Sequence, residues 1–326
     1  MFQSIWCDVF LVVAGLVMLW WIGDRVVRYS VQIAHAFKVS TFFIGFIVLA
    51  IAADIPELAV AITSALKGVS AVAAGDIIGA NFSDVAMVIG LTLLIAGRVH
   101  INKTESVMLV RMLAFTSLIM VIVLMRGYVA FPEGVALMVI YCVAVLWMWR
   151  KRRASSSLHQ EVEMVEDVAA HEHDRYLESP WGLVTKLLIC VGGVMYVSTL
   201  TVNGAIGIAE KFALPLETVG ATILGIGTSL PELVLSLSAL RRKQYGLCVG
   251  ATLGTVLEQT TFILGTLAVL SSPEPVNLVG LRGAAMFMFA AFGIISYGLA
   301  RYSAVTRRTG IALVSLFVFY LAYHLM

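Results

Sequence analysis

Four acids stand where acids are expensive. Asp54, Glu57, Asp84 and Glu232 each lie inside long apolar runs, and the nearby basic residues Lys67 and Arg98 fall toward helix ends. A carboxylate at hydrocarbon depth is tolerated only when it faces a cavity or a partner, so each acid is a functional candidate. Clustered carboxylates with no basic partner attract metal cations or protons, and oxygen donors alone suit hard ions such as Ca2+, Na+ or Mg2+. Asp54 and Glu57 are three residues apart and share a helix face; Thr228, Ser229, Glu232 and Ser236 share another at three- and four-residue steps. Asp76, Ala80 and Asp84 form a third face at four-residue steps. Pro56 and Pro231 each lack an N–H and clash one turn back, which frees carbonyls near Ala52 and Ala53 and at Gly227 and Thr228. Such carbonyls can ligate a cation where they line a cavity. Two further acids are open between alternatives. Asp76 and Glu258 are either hydrated near helix ends or part of the same pathway.

The elements that must position these residues are membrane spans. The chain has 326 residues, 60% hydrophobic and 13% charged, with a mean hydropathy of +0.95. A soluble domain would carry about a quarter charged residues, so the bilayer is the natural solvent. A spanning helix needs about 20 mostly apolar residues. That criterion predicts an all-α membrane protein with ten transmembrane helices near 5–23, 40–66, 70–96, 106–125, 129–149, 183–209, 216–240, 246–270, 278–300 and 309–325. The first is read as a span and not as a removed signal peptide, because no basic segment precedes it.

The clear hydrophilic break runs from Arg150 to Pro180, with Arg150-Lys151-Arg152-Arg153 at its start and an acidic stretch behind it. It divides the chain into 1–149, a cytoplasmic linker at 150–180, and 181–326. His171 and His173 within it are read as part of a solvated loop. With the linker cytoplasmic, sixteen of the 22 basic residues fall on its side against four opposite, which places both termini outside in a multi-pass protein of a bacterial-type inner or plasma membrane. The four cysteines are scattered through apolar runs without metal-ligand spacing and read as small buried hydrophobes. The methionines and aromatics read as packing or lipid-facing residues. Intramembrane enzyme patterns such as His-Glu-x-x-His do not occur in the spans, and no cofactor or nucleic-acid partner is expected.

The two halves are related. At an offset of 175 residues Gly45 aligns with Gly220, Pro56-Glu57-Leu58 with Pro231-Glu232-Leu233, Gly75 with Gly250, Gly79 with Gly254 and Gly90 with Gly265. Each unit holds five predicted spans, an odd number, so the second copy must run upside down through the membrane. Two inverted five-helix repeats with broken helices and a midplane site are a recurring design of secondary transporters. Gly75-x-x-x-Gly79 and Gly250-x-x-x-Gly254 are read as packing motifs that bring a helix close to its neighbour.

These residues carry a resemblance to the sodium/calcium exchanger (Ca2+/cation antiporter) superfamily, whose two repeats have the form Gly-Thr-Ser-x-Pro-Glu-Leu followed by Gly-Asn-x-x-Gly-Ser-Asn. Gly227-Thr228-Ser229-Leu230-Pro231-Glu232-Leu233 matches the first element at every defined position. Pro56-Glu57-Leu58 and Gly75-Asp76-Ile77-Ile78-Gly79-Ala80-Asn81 resemble the two elements in the first half. The resemblance implies exchange of Ca2+ for Na+ by alternating access, with two gating helices sliding against a core of eight and the inorganic cations as substrates. It implies that Glu57 and Glu232 are shared central ligands, that Ala53 and Thr228 offer backbone carbonyls, and that Asp84 and Gln259, each 27 residues after its glutamate, take the places of the family's Asn/Asp ligands.

The departures from the pattern open other possibilities. Ala53-Asp54 stands where Thr-Ser is expected and Ala80 where Ser is expected; in the second half Ala251, Thr255 and Val256 replace Asn, Ser and Asn. The first half has thus lost hydroxyls and gained a titratable acid. That supports protonation of one or more of Asp54, Glu57, Asp84 and Glu232 during the cycle, and with it a proton-coupled divalent cation exchanger. The eroded Asn/Ser set also supports a non-exchanging channel or sensor.

Overall fold

The computed structural model describes residues 5–36, 54–100, 103–150, 180–230, 232–233, 236, 245–302 and 304–325. These residues are mostly helical, as hydrocarbon demands, because a helix satisfies its own backbone N–H and C=O groups. The helices are α1 (Ile5–Ala36), α2 (Ile55–Leu66), α3 (Ser70–Ala96), α4 (Lys103–Arg126), α5 (Phe131–Arg150), α6 (Pro180–Phe212) and α7 (Leu216–Thr228). The sequence continues with α8, built from Tyr245–Glu258, a π-helical segment Gln259–Ile263 and Leu264–Leu270, then α9 (Arg282–Tyr302) and α10 (Arg307–Leu325). Six stretches of helix are long and apolar enough to cross a membrane: Ile5–Ile22, Ser70–Ala96, Leu109–Arg126, Trp181–Phe212, Thr252–Leu270 and Val279–Arg301. Large apolar side chains such as Trp6, Met125 and Trp181 are exposed on the outer surface, where lipid is their natural neighbour.

Two pairs of short strands tie helix ends together. β1 (Arg98–His100) follows α3 and pairs antiparallel with β4 (Ala304–Thr306), which precedes α10; Val99 lies opposite Val305. β2 (Tyr128–Val129) precedes α5 and pairs with β3 (Val276–Asn277), which follows α8. The helices show the same exchange of partners: α3 packs on α10 through its last turns, and α8 packs on α5 through its own. Glycines with positive φ, Gly97 and Gly127 at +80°, end α3 and α4, and their N–H groups bond to Leu93 O and Val123 O.

The interior is centred on α3. Its face of small residues lets α7 approach to backbone contact: a Cβ at Gly79 would collide with the backbone of Ala221, and one at Gly220 with the carbonyl of Val72. No described residue lies within 4 Å of a Cβ at Gly254, so the packing motif is realised in the first half only among the described residues. On the other side of α3, Phe82 packs against Tyr320 with ring centroids 4.5 Å apart, and Phe287 and Phe317 complete the group. The buried Tyr320 hydroxyl donates to Ala221 O at 2.8 Å and so links α10 to α7. Tyr320→Phe is expected to cost about 1 kcal/mol by removing that buried hydrogen bond, a drop in detergent melting temperature that an exposed-tyrosine control, Tyr323→Phe, does not share.

α1 lies along α6, and the two are joined near one end by an ion pair between buried Asp8 and Lys211. α6 touches α2 through Ser198, whose hydroxyl lies 3.3 Å from that of Thr63, and through a hydrogen bond from Lys67 to Asn203.

Candidate functional site

The site forms where helices start and bend. Asp54 is the N-cap of α2, makes no side-chain cap bond, and is followed by Pro56 in the first turn; Glu57 lies in that same turn. Both carboxylates thus sit at the positive end of a helix dipole. The second half repeats the arrangement. α7 ends at Thr228, and the chain turns at Ser229 before helical residues resume at Leu230, Glu232 and Leu233. The N–H of Leu58 bonds to Asp54 O at 2.9 Å, and that of Leu233 bonds to Ser229 O at 3.1 Å, at equivalent positions of the two copies. Asp84 and Gln259 each open a π-helical segment, Asp84–Ile89 and Gln259–Ile263, a local widening that re-aims side chains and recurs at functional sites.

These elements bring the acids together. Asp54, Glu57 and Glu232 are all buried, and one carboxylate oxygen from each lies within 4.8 Å of the others. Oxygens on opposite sides of a Ca2+ ion, each about 2.4 Å from it, are about 4.8 Å apart, so the spacing fits one coordination shell. Both oxygens of Glu57 and both of Glu232 have no hydrogen-bond partner, and neither do Asp54 Oδ2, Asp76 Oδ2 and Asp84 Oδ1. Among the described residues no lysine or arginine forms an ion pair with these acids. Bare, buried carboxylate oxygens of this kind need a cation or a proton.

Neutral groups surround the cluster. Gln259 Nε2 donates to Asp84 Oδ2 at 3.1 Å and reaches Asp54 Oδ1 at 3.5 Å, while its Oε1 is buried and unpartnered. Thr228 Oγ1 lies 3.0 Å from Asp76 Oδ1 and 3.1 Å from Leu224 O. One hydroxyl proton cannot serve both at once, and donation to the Asp76 carboxylate is the shorter of the two bonds. Ser229 Oγ has the same character, 3.0 Å from Gly225 O and 3.4 Å from Ala80 O. Ser236 is buried on the same segment as Glu232, whereas Ala53 and Pro231 lie outside the described residues. Asp76 and Glu258, the two acids with open alternatives, are both buried. Glu258 accepts a hydrogen bond of 3.0 Å from Tyr141 on α5, and the Tyr141 ring packs against Phe262. No spacing rule points to Tyr141, which is 117 residues from its partner.

Comparison with known proteins places this geometry. A 26% identical relative over 310 residues is the uncharacterized membrane protein MJ0091 of Methanocaldococcus jannaschii, with 94% of this chain and 95% of that protein covered. The sodium/calcium exchanger MaX1 of Methanosarcina acetivorans is 24% identical over 343 residues, again covering 94% and 95%. Among solved structures, an H+/Ca2+ exchanger, CAX, is similar with a TM-score of 0.78 at 16% identity, covering 97% of this chain and 82% of that one. The sodium-calcium exchanger NCX_Mj is similar with a TM-score of 0.62 at 23% identity, covering 98% and 99%. These likenesses show a shared membrane-exchanger fold. The model of the sodium/calcium exchanger protein family matches twice, once over residues 8–150 and once over 182–326, on either side of the hydrophilic break. The chain is therefore an integral, multi-pass member of the sodium/calcium exchanger protein family.

Proposed function

We propose that the protein is a secondary active antiporter that exchanges Ca2+ for Na+ by alternating access, with Asp54, Glu57 and Glu232 as the shared cation seat. The observation that carries this reading is the set of three buried carboxylates, drawn from two helix starts, with spacing that fits one ion and no basic partner among the described residues. By the family pattern Thr228 and Ser229 at the end of α7, and Ser236 on the Glu232 segment, complete the seat, and Ala53 and Thr228 contribute their carbonyls. Asp84 and Gln259 lie beside it.

Ten spans in two inverted five-helix units, 1–149 and 181–326 joined by a linker at 150–180, are the architecture that goes with this reading. It is supported by the separate family match of each half, and by strand pairs in which the end of α3 meets the start of α10 as the end of α8 meets the start of α5. The meeting of Glu57 with Glu232, and of Asp84 with Gln259, supports it too, since residues 175 apart face each other. Under this reading α1 and α6 slide as a pair held by Asp8 and Lys211, and the contacts of α6 with Thr63 and Lys67 on the α2 side change in each cycle. The charge bias of the loops supports termini on the outer side.

Proton coupling is the second reading, favoured by Asp54, which supplies a titratable acid where the family pattern has a hydroxyl. Purified protein in liposomes separates the two. Ca2+ uptake driven by an outward Na+ gradient and indifferent to a pH gradient is expected. Uptake that follows the pH gradient and ignores Na+ replaces Na+ with H+ as the counter-ion. Flux that follows voltage alone, with no counterflow, refutes exchange and leaves a channel.

A further inference from the structure

The carboxylates around the seat are not equivalent, and Gln259 is the reason. Glu57 and Glu232 are bare at both oxygens, whereas Asp84 is held through Oδ2 by the Gln259 amide nitrogen at 3.1 Å. The same nitrogen reaches Asp54 Oδ1 at 3.5 Å, the limit of a hydrogen bond, and among the described residues Asp54 Oδ2 has no partner. Gln259 therefore meets the acids with its donor end. An amide N–H cannot ligate a cation, and a carboxylate oxygen accepting from it gives up part of its capacity to do so. The three acids with close oxygens are Asp54, Glu57 and Glu232, and Asp84 is not among them.

We propose that Gln259 sets cation selectivity by holding Asp84 aside, so that a bound ion meets three carboxylates and not four. Ligand charge count is a main determinant of cation affinity in oxygen sites. The attraction of one added carboxylate scales with ion charge, so freeing Asp84 strengthens a trivalent ion more than a divalent one. Gln259 thereby restrains the seat from capture by ions of higher charge and keeps Ca2+ releasable. The proposal rests on Asp54, Glu57 and Glu232 forming the seat.

Calorimetric titration of the full-length, detergent-solubilised protein with Ca2+ and with La3+ tests it without requiring transport. Gln259→Leu is expected to tighten La3+ relative to Ca2+ by about tenfold, the effect of one added charged ligand. The double variant Gln259→Leu/Asp84→Asn is expected to return the ratio to wild type, which a merely structural loss at position 259 would not do. If Asp84→Asn abolishes Ca2+ binding as fully as Glu57→Gln does, Asp84 is a ligand and the proposal falls while the seat stands. An unchanged La3+/Ca2+ ratio in folded Gln259→Leu also overturns it. A wild-type protein that binds neither ion overturns both the seat and the proposal.

Discussion

Glu57→Gln and Glu232→Gln are each expected to reduce Ca2+ exchange by at least about 100-fold, because changing a group that merely supports a ligand already costs about 10–100-fold and in the proposed seat these side chains are the ligands. The glutamine keeps the length and shape of the side chain, so the loss isolates charge and one acceptor oxygen. Both glutamates are buried and bare at both oxygens, so no neighbouring donor compensates for the change. The effect is expected as a rise in the Ca2+ concentration for half-maximal flux together with a lower limiting rate, since a shared seat serves both ions of the exchange. Glu133→Gln is the control. Glu133 pairs with Arg126 at 2.6 Å near the membrane edge, and its removal is expected to leave flux within about twofold, as for most exposed ion pairs. Flux retained in both seat variants refutes the site.

The second large effect is on folding. Gly79→Leu forces a side chain into the backbone of Ala221, and this collision cannot be relieved by a rotamer change. Overpacking a flexible core costs about 1–3 kcal/mol; against rigid backbone the cost is expected at about 3 kcal/mol or above, enough to collapse the monodisperse yield in size-exclusion chromatography. Gly192→Ala on α6 gives the opposite outcome. No described neighbour lies within 4 Å of a Cβ there, and alanine favours the helix by about 0.5–1 kcal/mol, so an unchanged or higher melting temperature is expected. If Gly79→Leu melts like wild type, α3 and α7 do not pack as described.

Much of this was readable from residue types at fixed spacing. The acids of the seat stand out because charge is rare in apolar runs. The glycine spacing of α3 likewise announces close packing. What the sequence left open depended on things that linear spacing does not encode. Asp76 and Glu258 were poised between hydrated helix ends and the interior. α3 runs unbroken from Ser70 through the π-helical turn at Asp84 to Ala96, which carries Asp76 inward to full burial. α1 extends to Ala36, well past its apolar stretch of Ile5–Ile22, because hydropathy measures the thickness of the bilayer and not the length of the helix. The donor role of Gln259 was hidden because a glutamine offers both an acceptor and a donor, and only its neighbours decide which end faces the acids. The bond from Tyr141 to Glu258 joins residues on different helices and has no local signal.

The bare oxygens of Glu57 and Glu232 have one more consequence. A carrier that reorients with neither a cation nor a proton on them must take those charges through the dry centre of the protein without a counter-charge, and that step is costly. Loaded with a cation, the same step is nearly neutral. In the proposed exchanger, an unladen and unprotonated return is thus disfavoured by the same electrostatics that draw a cation in, which ties one ion's passage to another's return.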